Sequence, residues 1–174
     1  MQRDGGAARI RPAHDVADYA RFADLCRAYL QWCRERYRAL PWFVEDVFGH
    51  QSLDAELAKL PTKYGPPNGL TLLGTLDGEI VAAGAYHRLG DDICELKRLF
   101  VSNRARGTGL GRKLTDALAA AAKADGYAAI RLDSATLFVE AIALYESAGF
   151  HRIAPYLPYP DRLMPHLVFM ERRL

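Results

Sequence analysis

Gly107, Gly109 and Gly111 alternate with Thr108 and Leu110 in the segment ELKRLFVSNRARGTGLGRK, Glu95 to Lys113, which runs from a strand-like stretch through a turn into an amphipathic helix. Glycine at such a turn leaves the backbone N–H groups open to a ligand, because no Cβ stands in the way. Those donors sit where the helix dipole is positive, so the turn suits a phosphate or pyrophosphate, and Arg104, Arg106, Arg112 and Lys113 add positive charge beside it. Spacing excludes two other phosphate motifs. A dinucleotide fingerprint needs glycine where Arg112 stands, and a P-loop needs Gly-Lys-Ser/Thr, which the chain lacks. A glycine turn alone also fits a plain tight turn flanked by solvated arginines.

The elements that hold these residues can be read from periodicity. A short strand over Arg9 to Pro12 precedes a long helix opened by Asp15 or His14, with Val16, Tyr19, Phe22, Leu25, Cys26, Tyr29, Leu30 and Cys33 on one stripe. Pro41 breaks it, PWFVEDVFG comes next, and Ser52 caps a second helix, Leu53 to Leu60, that Pro61 ends. Leu70 to Leu76, Glu79 to Arg88 and Ile93 to Val101 read as an antiparallel meander, with Asp77-Gly78 as a hairpin turn. Leu110, Leu114, Leu118 and Ala121 mark a helix running to Gly126. After it come a buried strand from Ala128 to Asp133, a helix from Phe138 to Ala148 closed by Gly149, and a last strand from His166 to Glu171. This order predicts an α+β, three-layer domain with one mixed sheet, in which Ile93 to Val101 and Ala128 to Asp133 are parallel neighbours. One domain over residues 1–174 is expected, with residues 1–7 a disordered tail.

Composition narrows the function. The 174 residues carry 23 Lys plus Arg against 21 Asp plus Glu, a net charge of +2, too mild for a nucleic-acid binder. Half the residues are hydrophobic, which argues against a disordered or fibrous chain. The N-terminal MQRDGGAARI lacks an apolar core, and no run approaches the roughly 18 apolar residues of a membrane span, so a cytoplasmic protein without membrane partners is expected. Cys26, Cys33 and Cys94 are odd in number and form no CxxC pair, so they read as reduced thiols acting as small buried hydrophobes. The five histidines have no ligand-like spacing, and no metal is expected.

Arg106-Gly107-Thr108-Gly109-Leu110-Gly111 fits the pattern Gln/Arg-x-x-Gly-x-Gly/Ala and resembles motif A of the GNAT superfamily of acetyl-CoA-dependent N-acetyltransferases. AIALYESAGF, Ala141 to Phe150, resembles the family's motif B helix, with Tyr145 three residues before an Ala-Gly-Phe ending. The resemblance spans roughly residues 8 to 174. It implies a three-layer fold whose mixed, mostly antiparallel twisted sheet has helices on both faces and two splayed central strands. It also implies acetyl-CoA as cosubstrate, bound by Leu99, Phe100, Val101, Arg106, Gly107, Thr108, Gly109, Leu110, Gly111 and Arg112. The pantetheine arm would lie as an added strand near Leu99 and Val101, where a backbone N–H would polarise the thioester carbonyl. At Phe138 many relatives carry an asparagine that contacts the cofactor, so that contact is expected to be missing.

Acyl transfer to an amine requires a base for the amine and an acid for the departing thiolate. By the resemblance, Tyr145 is the acid and Glu95, four residues before Leu99, the base, with burial expected to raise the Glu95 carboxyl towards neutrality. Tyr145 could instead be a packed aromatic, Glu95 could pair with Lys97 or Arg98, and an ordered water could serve as base. The resemblance also implies that Trp42, Phe43 and Tyr156 meet the acceptor, in a region that also holds Trp32, Tyr37, Glu45, Asp46 and Tyr159. Aromatics with carboxylates would suit a cationic amine. The expected activity is direct transfer of acetyl to a primary amine on a small molecule, because Cys94 has no activating neighbour in sequence for a covalent route. A non-catalytic acyl-CoA-binding regulatory module and a protein lysine or N-terminal acetyltransferase are the alternatives, and a homodimer is left open.

Overall fold

Asp15 starts the first helix by capping it. Its Oδ1 accepts the backbone N–H of Asp18 at 2.9 Å, and Asp18 Oδ2 accepts the N–H of His14 at 2.9 Å, so donors at the start of α1 (Val16–Arg36) are satisfied. Asp18 is buried against Arg11 of β1 (Arg9–Pro12), whereas Val16, expected on the apolar stripe, is 86% exposed. The capping aspartates occupy the side of this turn that meets β1; Tyr19 packs half-buried, and the fully buried apolar stripe begins at Phe22, continuing through Cys26 to Cys33. The computed structural model describes residues 8–174; the tail expected over residues 1–7 lies outside them.

The next stretch departs from expectation. Pro41 begins α2 (Pro41–His50), because at the first helical position its missing N–H has no intrahelical acceptor to lose. Phe43, Val44 and Val47 bury one face of this helix. Ser52 adopts φ +53° and makes no side-chain cap, and the single helix expected over Leu53 to Leu60 is instead α3 (Leu53–Leu57) and α4 (Leu60–Tyr64). Pro61 sits in the first turn of α4 rather than ending α3.

Among the described residues the sheet has seven strands in the order β1-β2-β3-β4-β5-β7-β6. These are β2 (Gly69–Leu76), β3 (Glu79–Arg88), β4 (Ile93–Val101), β5 (Ala129–Ala135), β6 (His151–Arg152) and β7 (Leu167–Arg173), beside β1. The mixed, mostly antiparallel α+β architecture matches expectation, β4 and β5 being the parallel pair. Asp77 and Gly78, at φ +53° and +80°, close the β2–β3 hairpin as the strand twist requires. Along β3 the pleat separates two cores. Ala83 and Ala85 pack with Phe22 and Cys26 of α1, while Ala82 and Tyr86 pack with Leu114 and Leu118 of α5 (Leu110–Ala124). Both leucines are fully buried, each burial being worth roughly 1.5–3 kcal/mol. Ile142 and Tyr145 of α6 (Val139–Ser147) belong to the same α5-side core.

The feature that shapes the centre of the molecule is the parting of β4 and β5. Their ladder closes with Glu95 opposite Arg131, and β4 runs on to Val101 without β5 beside it. Within this extension Arg98 adopts φ +57° and the β3 register slips, so that Ala85 opposes Lys97 but Ala83 opposes Phe100. This is a β-bulge, which places one extra residue on β4 and reverses the facing of the residues beyond it. Lys97 and Arg98 therefore both reach the α1–α2 side. Leu99 turns to the α5 side, where a Cβ on Gly84 would come within 2.7 Å of its Cδ1. Phe100 returns to pack on Tyr29 of α1, ring centroids 5.7 Å apart.

Candidate active site

The gap between β4 and β5 opens into a cavity of about 610 Å³ bounded by α1, α2, the turn before α5, and α6. Ten residues singled out in the sequence line it together with Phe43: Leu99, Phe100, Val101, Arg106, Gly107, Gly109, Leu110, Gly111, Arg112 and Tyr145. Thr108 does not; its Oγ1 turns inward and donates to the Ala105 carbonyl at 2.6 Å, pinning the turn. Gly107 and Gly109 lie at φ +77° and +79°, a conformation that costs other residues strain, and a Cβ on either would meet open space. Gly111 is helical, and a Cβ there would press on Leu144 Cδ1 at 3.2 Å, so its smallness serves the α5–α6 packing. The expectation that Gly111 must be bare for a ligand's approach is corrected to that extent. Gly109 is also the N-cap of α5 and supplies no side-chain cap, so the first-turn N–H groups have no protein acceptor from a capping side chain.

Tyr145 sits opposite this turn on α6. It is 7% exposed, and its hydroxyl makes no hydrogen bond among the described residues. Burial, with a smaller contribution from Asp133, pushes the phenol above its ordinary value, so it is fully protonated at neutral pH. Phe138 joins the wall where the asparagine contact was expected to be missing. Its ring packs at a tilt on Trp32, centroids 4.8 Å apart, and meets Tyr37 edge-on at 5.6 Å.

Glu95 differs from expectation. It does not line the cavity, and its carboxylate accepts from His87 Nε2 at 2.8 Å and Tyr156 O–H at 2.9 Å, with Lys97 Nζ at 3.4 Å. Burial alone would raise its pKa, but the His87 hydrogen bond, the Lys97 charge and the Tyr156 hydroxyl outweigh it and hold the carboxyl at about 2. The expected rise towards neutrality is thus reversed. Tyr156 is committed to this bond and lies off the cavity, and Trp42, 37% exposed, packs on Phe43 and His166 at the surface rather than inside. Of the three expected acceptor contacts, Phe43 alone faces the cavity. Glu45 pairs with Arg34 at the surface and Asp46 with Arg162, so neither supplies negative charge to the cavity.

Gln51, Lys97, Arg98 and Asp133 also face it, and sequence reasoning gave none of them a place in the site. Lys97 pairs with Asp133 of β5, bridging the strands just beyond the last ladder pair, and Asp133 Oδ2 accepts from Tyr159 O–H at 2.7 Å. Gln51 Nε2 donates to the Tyr159 oxygen at 2.7 Å, and Arg98 Nη1 donates to Gln51 Oε1 at 2.9 Å. Arg98 Nε donates to buried Glu56 at 2.8 Å, and Lys63 and Tyr64 donate to the same carboxylate at 2.7 and 2.9 Å. Adjacent charges in a strand, Lys97-Arg98, are the available sequence signal, because strict alternation cannot solvate both.

Burial raises the Glu56 carboxyl, but Arg98 and Lys63 more than offset this and hold it at about 2, like Glu95. Both folded carboxyls therefore bind protons less readily than the unfolded chain, whose ordinary value is 4.5. Stability is present above that value and is lost as pH falls from 4.5 towards about 2. Thermal melts should show Tm level between pH 6 and 7 and dropping by several degrees from pH 5 to pH 3. In Glu95→Gln that acid slope should be shallower.

The model of the acetyltransferase (GNAT) family matches residues 28–150. An uncharacterized N-acetyltransferase of Schizosaccharomyces pombe is 35% identical over 123 residues, 70% of this chain and 74% of that protein. An acetyltransferase from Streptococcus agalactiae has the same fold at 20% identity, with a TM-score of 0.73 over 96% of this chain and 98% of that one. The PaiA N-acetyltransferase from Thermoplasma acidophilum, solved in complex with coenzyme A, matches with a TM-score of 0.69 at 15% identity over 97% and 99% of the two chains.

Proposed function

Since this chain belongs to the GNAT family and is an N-acetyltransferase, we propose that it moves acetyl from acetyl-CoA directly to a primary amine on a small molecule in the cytoplasm. One observation carries the reading: the uncapped N-terminus of α5 and the unbonded hydroxyl of Tyr145 open into the same cavity. The cavity fits the cosubstrate at both ends. Gly107 and Gly109 leave the space over the α5 N-terminus clear, with Arg106 and Arg112 beside it, which suits a pyrophosphate. The edge of β4 beyond Glu95, no longer paired with β5, offers backbone groups around Leu99 and Val101 to an extended chain. A backbone N–H aimed at the thioester oxygen there contributes about 3 kcal/mol to the transition state.

The chemistry asked of the chain is then small. The amine nitrogen bonds to the acetyl carbon as the carbon–sulfur bond breaks, and Tyr145 donates its proton to the departing thiolate. Glu95, held at about 2, is a weak proton acceptor and does not face the cavity, so water, not Glu95, takes the amine proton. A covalent route has no support. Cys33 reaches the cavity, but burial pushes its thiol up to about 12, and Cys94, also pushed up to about 12, lies in the α5-side core. Walls of Tyr29, Trp32, Phe48 and Phe138 suit a small acceptor better than a polypeptide, whose backbone would need polar partners.

The test is CoA release against a broad panel of small primary amines, with mass spectrometry of products and calorimetry of acetyl-CoA binding. Acetylated amine is expected. Tight acetyl-CoA binding without product from any amine would replace the enzyme by an acyl-CoA sensor. In the same assay Glu95→Gln should keep the pH dependence of the parent protein between pH 6 and 9, with the acidic limb tracking the acceptor amine's own pKa. Loss of that limb in the variant would reinstate Glu95 as base.

A further inference from the structure

Arg98 is the least expected occupant of the cavity. The bulge turns it off the α5-facing side of β4, and its side chain is 4% exposed. Two of its three nitrogens are used, Nε on Glu56 and Nη1 on Gln51, but Nη2 is buried without any hydrogen-bond partner among the described residues. A buried charged donor left unpaired is costly, and native sites leave one so only where another acceptor completes it. The surroundings cannot supply one. Phe48 lies under the guanidinium at 5.4 Å, and no acceptor among the described residues lies within hydrogen-bond reach of Nη2.

A second, independent feature lies on the far side of the Gln51–Arg98–Glu56 layer. A cavity of about 570 Å³ there shares Gln51 with the first and is bordered by Lys59, Lys63, His87 and Arg88, with Glu56 its one carboxylate. It is a basic recess bordered by Gln51 and Glu56, the two groups that hold Arg98. A cationic amine without an anionic group would be repelled along it, whereas a carboxylate would be drawn in.

Resting on the acetyl-transfer reading above, we propose that the acceptor is an amine that also bears a carboxylate, such as an amino acid with an apolar side chain, and that Arg98 Nη2 donates to that carboxylate. The guanidinium fixes the acid end, the aromatic chamber takes the body, and the amine is left to face the break between β4 and β5. Arg98 is then the residue that sets specificity, because a site built around an unpaired charged donor rejects the analogue lacking the acceptor.

The experiment compares matched pairs on the intact protein: phenylalanine against 2-phenylethylamine, and leucine against 3-methylbutylamine, each as kcat/KM for CoA release, with acetyl-CoA binding measured in parallel. The carboxylated member should be favoured by about 100-fold or more. In Arg98→Lys, which keeps a charge beside Glu56 but removes both Nη1 and Nη2, that ratio should fall at least tenfold. If the variant does not fold, the parent protein's ratio decides alone. Decarboxylated amines acetylated as well as or better than their partners would overturn this proposal and leave the N-acetyltransferase reading standing. No product from any amine, with acetyl-CoA bound, would overturn both.

Discussion

Tyr145→Phe is expected to lower turnover about 10²- to 10⁴-fold while acetyl-CoA affinity stays nearly unchanged. The hydroxyl has no hydrogen-bond partner among the described residues, so removing it breaks no bond of the folded chain and strands no buried donor. Tm should therefore hold or rise slightly, which separates this variant from one that merely damages packing. The ring keeps its contact with Phe150, centroids 5.7 Å apart, so α6 stays seated. A phenol near 10 donating to a thiolate near 8.5 is uphill in water. In an apolar cavity the thiolate is also destabilised, and the raised phenol is sure to arrive protonated. Tyr29 faces the same cavity and is the natural rival, its own phenol raised by burial. Tyr29→Phe should cost far less. Near-normal turnover in Tyr145→Phe with a large loss in Tyr29→Phe would transfer the acid role to α1.

Gly109→Val should abolish measurable acetyl-CoA binding, a loss of about 100-fold or more, in a protein that still folds. Two effects combine there. A β-branched residue at φ +79° is strained by about 1–2 kcal/mol, and its side chain would project into the open space over the N-terminus of α5. Gly126, after the C-terminal end of the same helix, provides the matched control, because it has φ +93°, similarly open surroundings and no contact with the cavity. Gly126→Val should lose a comparable amount of stability and no affinity. Calorimetry of both variants, each with its melting temperature, distinguishes backbone strain from blockage of the anion site. Unchanged affinity in folded Gly109→Val would remove the turn from the cosubstrate site.

Much of the frame is legible in the sequence because it is local. The bounds of β3 and β4 come from alternation and the Asp77-Gly78 turn, α5 from the four-residue recurrence of Leu110, Leu114 and Leu118, and the turn before α5 from glycines two residues apart. Each of these depends on residues within one or two turns of one another, and short-range sterics decide them. Sequence and structure part where a local signal has two outcomes. Proline both ends helices and begins them, and Pro41 and Pro61, which read as stops, each sit in a first turn.

The polar interior of the site belongs to the tertiary structure alone. Glu95 is a carboxylate held at about 2 because the fold brings His87, 8 residues away, and Tyr156, 61 residues away, onto its two oxygens and turns Lys97 towards it. Arg98 meets Gln51 across 47 residues and Glu56 across 42, and it reaches them only because a one-residue slip against β3 turns its side chain to the other face of the sheet. Charge, protonation and the direction of a buried side chain depend on what lies across the sheet. Those partners are chosen by register and by the parting of β4 from β5, which no local pattern in the chain encodes.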